Sequence, residues 1–325
     1  MKSEILSALR SANEYVSGQE LCEKLGVSRT AVWKGVQKLK EEGYTIKAVP
    51  NKGYCLMESP DVLNEQELKN FLQTAWIGKR VVYYEVTDST NIQAKCLAEE
   101  GALHGTLVVA GRQEAGKGRR GRSWESPEKD GIFMTVLLRP DFEPQKASML
   151  TIIAALAVTK ALRTMFELSA EIKWPNDIIL KNKKVCGILT ELSTEIDAIN
   201  YVVVGIGINV SNRKFEEEVA LTATSIVIES GKQVHRAKLI DAVWRQFEYY
   251  YERFCAEKNL SGFIEEYNGF LVNKDKQVRI LDPQNPFAGV ARGINETGEL
   301  IVETEDGIRP VSSGEVSVRG IYGYV

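Results

Sequence analysis

The sequence predicts an α+β chain in three parts: a winged helix-turn-helix over 1–61, a central mixed-sheet α/β domain over 76–268 and a small SH3-like β-barrel over 269–325. Three observations carry this. Helical apolar spacing followed by a hairpin pattern fills the first part, strand and helix patterns alternate through the second, and short strands punctuated by Gly and Pro follow Lys276. At 325 residues two or three domains are expected, from about 100 to 200 residues each.

In the first part Ile5, Leu6 and Leu9 fall at helical spacing. Ser17 caps a second helix that stops at Gly26, and Ser28 caps a third whose Val32, Val36 and Leu39 form one apolar stripe before Gly43. The three-residue turn Gly26-Val27-Ser28 between them is that of a helix-turn-helix. Tyr44–Ala48 and Gly53–Met57 flank Pro50-Asn51-Lys52 as a hairpin wing, and Glu58–Asp61 reads as a boundary. In the second part strands are expected at Val81–Val86, Thr106–Ala110, Phe133–Arg139, Ala170–Lys173, Lys184–Leu192 and Tyr201–Asn209, with long helices at 89–100, 146–166 and 235–255. Several strand-to-strand connections are too short for a crossover helix, hence a mixed sheet.

Hydrophobic residues at 44% and charged residues at 26% describe an ordinary globular protein, and a net charge of −3 excludes a generally basic nucleic-acid coat or polybasic membrane protein. Five cysteines without CxxC spacing point to reduced thiols in the cytoplasm and away from a zinc knuckle, and with only two histidines most histidine-based sites fall away. The longest clean apolar run, Ile152 to Val158, is far short of the roughly 20 residues of a membrane helix, so no membrane association is expected.

The average charge hides two basic segments. Arg29 to Lys52 carries six basic and two acidic residues, and Gly111 to Arg122 carries five and one. On the third helix Arg29, Thr30, Trp33, Lys34, Gln37 and Lys38 lie off the apolar stripe, Ser28 opens it, and Lys52 sits at the wing tip. Cations for phosphates and polar groups for base edges are what a recognition helix needs. A helical unit that docks a protein is the competing reading; turn, wing and basic face together favour DNA.

Gly111 to Gly118 fits the phosphate loop G-x-x-x-x-G-K up to its last position, where Gly118 replaces the magnesium-binding Ser or Thr. Gly116, Gly118 and Gly121 fit the dinucleotide fingerprint, but Ser123-Trp-Glu-Ser-Pro127 cannot open the required helix. What remains is a loop with Lys117, Arg119, Arg120 and Arg122 among glycines, suited to an anion and costly to order without one. A solvated basic loop or a nucleic-acid contact reads equally well from these residues alone.

Three further segments favour phosphate binding. Asp88-Ser89-Thr90-Asn91 opens a helix, where hydroxyls and amides meet a positive helix terminus, although plain capping is the simpler alternative. Lys173-Trp-Pro-Asn-Asp177 ends a strand and presents Asn176 and Asp177, and Val204-Gly-Ile-Gly-Ile-Asn209 has the alternating glycines of a strand against which something packs closely. Lys184 enters a strand with Gly187 behind it, which can turn it inward.

Together these residues resemble biotin–protein ligases, and with the winged helix in front the chain resembles the bifunctional bacterial form, the BirA-type ligase and biotin-operon repressor. The resemblance covers all three parts. It implies a two-step reaction: biotin and ATP, with Mg²⁺, give biotinyl-5′-AMP and pyrophosphate, and the biotinyl group then passes to a lysine of a biotin carboxyl carrier domain, such as that of acetyl-CoA carboxylase. It further implies operator DNA as a partner, and a homodimer formed on binding biotinyl-AMP.

By motif, the resemblance assigns Ser89, Thr90, Asn91, Gln113, Lys117, Gly118, Arg119, Lys184 and Gly187 to biotin. Gly116, Arg119, Arg120, Arg122, Asn176 and Asn209 go to the nucleotide, with Trp124 where adenine stacks. Arg119 and Lys184 would hold the reacting carboxylate and phosphate, and Asp177 either orients the incoming lysine or serves the metal, whose ligands are otherwise unassigned. Lys117 stands where many members have Arg, which keeps the charge and forgoes bidentate pairing. Glu114 has no functional assignment. A lipoate–protein ligase and a non-catalytic ligand-sensing regulator are the alternatives.

Overall fold

In a computed structural model the chain divides into two compact units, Met1–Asn70 and Phe71–Val325. The structure describes all residues except 13, 128–129, 196–197, 283–284, 314–316 and 321–323.

In the first unit helices α1 (Lys2–Ser11), α2 (Gly18–Leu25) and α3 (Arg29–Glu41) precede a hairpin of β1 (Thr45–Val49) and β2 (Gly53–Glu58), and α4 (Glu65–Phe71) follows. The predicted caps are present: Ser17 accepts from the Glu20 amide at 3.0 Å, Ser28 from Ala31 at 3.2 Å, and Gly26 ends α2 with φ 66°. Ile5, Leu9, Leu21, Val32, Val36 and Leu39 are fully buried and form the core. Each fully buried Leu, Ile or Val contributes about 1.5–3 kcal/mol. Gly53 must be glycine, because a Cβ there would lie 2.0 Å from the Val16 carbonyl oxygen and its φ is 106°.

The second unit is built on a seven-stranded mixed sheet in the order β3-β4-β5-β9-β8-β7-β6. The strands are β3 (Val81–Thr87), β4 (Leu107–Gln113), β5 (Gly131–Leu138), β6 (Glu171–Lys173), β7 (Asp177–Leu180), β8 (Lys183–Glu195) and β9 (Ala198–Asn209). Only the β3–β4 pair is parallel, joined over α5 (Thr90–Glu99). All six expected strands and three long helices are present. The strand β7 is an addition to them; four residues after a Pro-Asn turn carry little period-2 signal.

Because side chains alternate along a strand, Val203, Gly205 and Gly207 of β9 share one face with their partners Glu191, Leu189 and Gly187 of β8, and α5 packs there. Helix α6 (Met149–Phe166) packs against β6, β7, β8 and β9, and against α9 (Arg236–Glu257). The stretch Pro144–Phe166 is long and apolar enough to cross a membrane by length and composition, but 78% of its apolar window is buried inside the fold. Short helices α7 (Glu217–Ala220) and α8 (Ile226–Ser230) lie before α9, and α10 (Ile264–Phe270) after it.

The unit ends in a five-stranded antiparallel sheet, order β13-β12-β11-β10-β14, of β10 (Gln277–Leu281), β11 (Phe287–Ile294), β12 (Leu300–Thr304), β13 (Gly307–Val311) and β14 (Ser317–Gly320). Among the described residues its edge strands β13 and β14 are not paired, so the expected small β-barrel is present as an open sheet.

Candidate active site

The site is assembled at the N-terminus of α5. Ser89 has the extended backbone of a helix cap, but its side chain makes no capping bond. The capping oxygen comes instead from β4: Gln113 Oε1 accepts from the Thr90 amide at 2.8 Å and the Thr90 hydroxyl at 3.1 Å. Burial pushes the Asp88 carboxyl up, yet hydrogen bonds from Gln93, the Ser89 amide and Thr87 outweigh it and hold it below the usual range. Asn91 is committed to the protein, its Nδ2 donating to Leu189 O at 3.2 Å and Glu191 Oε2 at 2.8 Å, with Thr135 Oγ1 2.7 Å from its Oδ1.

The glycines of β9 and β8 are explained by what lies on them. A Cβ at Gly205 would sit 2.1 Å from Asn91 Oδ1, and one at Gly207 would sit 2.7 Å from the Trp124 ring. Gly187, paired with Gly207, would meet the same indole at 2.9 Å. Trp124 therefore lies against bare backbone, where any side chain would displace it. Among the described residues its Nε1 is buried without a hydrogen-bond partner, against the Gly207 backbone.

The basic loop is folded back on itself. The Trp124 amide donates to Gly116 O at 2.9 Å, and the Gly118 amide donates to Arg122 O at 2.7 Å. A Cβ at Gly116 would fall 2.5 Å from Trp124 O. Arg119 reaches inward to Asn176 Oδ1 at 3.1 Å and to the Ser313 carbonyl, whereas Arg120 and Arg122 are exposed. Arg120 carries a left-handed backbone with φ 59°. Glu114 is exposed beside Arg112 at 3.6 Å, a pair worth at most about 1 kcal/mol.

From the far side of the sheet the β6–β7 turn, with a cis Trp174–Pro175 bond, delivers Asn176 and Asp177. Asn176 donates to Ile188 O at 3.0 Å. Lys184 Nζ lies 2.6 Å from Asp177 Oδ1 and 5.1 Å from the Trp124 ring centre. Burial pushes Asp177 up, but Lys184 and a hydroxyl from Tyr324 keep its carboxyl below the usual range. Lys173 is buried, and that desolvation lowers its ammonium to about 7 despite Asp177 nearby.

Two adjoining cavities result, of about 460 and 640 Å³ with their open mouths. All nine residues assigned to biotin line the first: Ser89, Thr90, Asn91, Gln113, Lys117, Gly118, Arg119, Lys184 and Gly187. Arg119, Arg120, Arg122, Trp124 and Asn176 line the second with Lys173, Asp177 and Tyr324. Gly118, Arg119, Trp124, Asn176 and Lys184 border both. Two assigned residues line neither cavity: Gly116 lies under the Trp124 backbone, and Asn209 donates to Thr224 O at 3.0 Å. Sequence reading missed Thr135, Glu191, Lys173 and Tyr324, and also Ser126, whose hydroxyl accepts from Gln113 Nε2 at 2.9 Å. Only Lys173 had a signal, as the first residue of the Lys-Trp-Pro-Asn-Asp run.

In the first unit Thr30, Trp33, Lys34 and Lys38 are exposed on α3 and Gln37 is half-buried. Arg29 donates to Gln19 at 2.8 Å, and Lys52 is exposed on the wing. A groove between the start of α3 and the wing is lined by Arg29, Val32, Asn51 and Tyr54.

Residues 83–209 match the biotin/lipoate A/B protein ligase family, residues 2–55 an HTH domain, and residues 275–319 the biotin protein ligase C terminal domain. The chain is 38% identical over 314 residues to the bifunctional ligase/repressor BirA of Bacillus subtilis, covering 95% of each chain. It belongs to the bifunctional ligase/repressor family. The Escherichia coli BirA is 31% identical, over 97% of this chain and 96% of its own length. Biotin protein ligase from Aquifex aeolicus, solved in complex with biotin and ATP, aligns with a TM-score of 0.66 at 32% identity, covering 74% of this chain and 99% of its own.

Proposed function

We propose that this family member activates biotin with ATP in the two adjoining cavities and transfers it to a carrier lysine, and that the same chain represses transcription through its winged helix. The observation that carries the ligase reading is the placing of Lys184, Arg119 and Asn176 along the border shared by the cavities. A carboxylate in the first cavity and a phosphate in the second would both face these groups.

In the first step a biotin carboxylate oxygen bonds to the α-phosphorus of ATP as the bond to pyrophosphate breaks. Lys184 and Arg119 offset the charge gathered there, and the glycine-rich strands hold the reacting ends close. In the second step the carrier lysine's amine bonds to the acyl carbon, AMP leaves with the electron pair, and the amine's proton is released to solvent; Asp177, ionised in the cleft, is our assignment for orienting that amine. No enzyme nucleophile is needed. Magnesium enters this reading as MgATP, the form in which a cation of this kind is carried by substrate phosphates.

The carrier is a biotin carboxyl carrier domain, and the setting is the cytoplasm, supported by the free thiols Cys22, Cys55, Cys96, Cys186 and Cys255. In the repressor reading, adenylate binding orders the basic loop and completes a homodimer that pairs two winged helices on an operator. Incubation with ATP, a carrier domain and either labelled biotin or labelled lipoate tests the ligase. Biotin label on the carrier is expected, and lipoate label alone would overturn it. Sedimentation with and without biotin plus ATP tests the dimer, and an unchanged association state would count against the coupling.

A further inference from the structure

Tyr324 lines the second cavity, and Val325 lies beside β14. A Cβ at Gly320 on β14 would fall 2.0 Å from the Val325 carbonyl oxygen, so the last residue is pressed against the strand. Beside it the Tyr324 hydroxyl donates to Asp177 Oδ2 at 2.5 Å, while Asp177 Oδ1 faces Lys184 Nζ at 2.6 Å. Lys173 Nζ stands 3.5 Å from the centre of the Tyr324 ring, and the Arg319 guanidinium 5.1 Å from it.

One carboxylate thus has two lysines within its field. Lys173 enters from β6 and Lys184 from β8, and Asp177 could pair with either. The aromatic face of Tyr324 engages the Lys173 cation, and its hydroxyl occupies the second carboxylate oxygen. Asp177 is left with one oxygen for one lysine, and that lysine is the one bordering both cavities.

We propose that Tyr324 is a positioning residue of the ligase reaction: its hydroxyl fixes the Asp177 carboxylate, which in turn fixes Lys184 Nζ where the two cavities meet. The inference rests on the ligase reading above and gives Tyr324 a part in it.

The charged and titratable groups facing Asp177 are Lys184, Tyr324, Lys173, Arg119 and Cys186. Burial raises its pKa, and Lys184, the Tyr324 hydroxyl and Lys173 lower it further than burial raises it. Removing the hydroxyl withdraws one of the lowering hydrogen bonds, so Asp177 protonates at higher pH and the acid limb of the rate profile moves up.

The test uses the full chain and Tyr324→Phe, which keeps the ring over Lys173. Biotin-dependent pyrophosphate release is measured against pH, with the thermal midpoint of each variant as a check on folding. Tyr324→Phe is expected to lose about tenfold in kcat with the biotin KM within about twofold of the parent, and to shift the acid limb upward. In an Asp177→Asn background the same substitution should cost nothing further. Unchanged rate and pH profile in Tyr324→Phe, or an equal loss in the Asp177→Asn background, overturns the inference while leaving the ligase reading intact. A faster Tyr324→Phe also overturns it, marking the tail as a plug. A parent chain that releases no pyrophosphate with biotin overturns both.

Discussion

Two segments of this chain carry the same excess of positive charge and use it in opposite ways. From Arg29 to Lys52 the cations stand on the outside of a helix and wing whose apolar residues face the core. From Gly111 to Arg122 the loop turns back on itself between glycines, and while Arg112, Lys117, Arg120 and Arg122 stay exposed, Arg119 points inward onto Asn176 and the Ser313 carbonyl. The first arrangement suits a long polyanion that approaches as a surface, where charges act through counterion release. The second suits one small anion, where each of a few charges in a partly desolvated cleft acts more strongly. Equal charge therefore says nothing about the partner; what the backbone does with it decides.

That contrast breaks first at Lys184, which lies outside both segments but borders the same cavities as Arg119. Lys184→Ala removes the cation at the cavity border and is expected to cut biotin-dependent pyrophosphate release by about 10² to 10³, with the fold unchanged. Undiminished release would mean that the inward cations are structural. Arg119→Gly comes next: it removes a charged donor from the border of the two cavities, and one such donor to the adenylate, at about 1.5–3 kcal/mol, is roughly ten- to a hundredfold in adenylate retention. Such a variant should label lysines indiscriminately, because the adenylate escapes, and tight adenylate with normal selectivity would refute this.

How far the sequence reached depended on which interactions are local. Caps, turn glycines and apolar stripes act within a few residues, so Ser17, Gly26, Ser28 and the helices they bound were legible. The alternating glycines of β9 announced a close neighbour without naming it. Gly207 meets Trp124, from about 80 residues earlier in the chain, and Gly205 meets Asn91, from more than 100 earlier, and only folding brings them together. Glu191, Thr135 and Tyr324 left no trace because each acts through a hydrogen bond to a residue far away in sequence. Asn209 ended the glycine-rich strand at the expected place, but its amide turned toward Thr224. A spacing locates a backbone position and does not say which way the side chain goes.

Gly207→Ala asks whether the strand glycines matter for the cleft that receives the small anion. The added methyl group would start 2.7 Å from the Trp124 ring, so the indole must shift, at a packing cost of about 1–3 kcal/mol. The expected result is a rise of about tenfold in the biotin KM and a lower thermal midpoint, read by steady-state kinetics and calorimetry. An unaltered KM would show that Trp124 does not shape the cleft.

The smallest effect is expected on the outward segment. Lys34→Ala with Lys38→Ala removes two exposed cations that pack against nothing in the core. Operator affinity should fall by about fivefold near physiological salt, and the slope of log K against log salt should drop by about 2, one for each phosphate no longer neutralised. Adenylate formation should not change. The two measurements together are decisive, because a polyanion surface loses affinity in increments set by salt, whereas the inward cations fail in large steps that salt barely moves. An affinity loss without a change of slope would mean that these lysines read bases or shape the helix, and the outward segment would no longer be the electrostatic opposite of the loop.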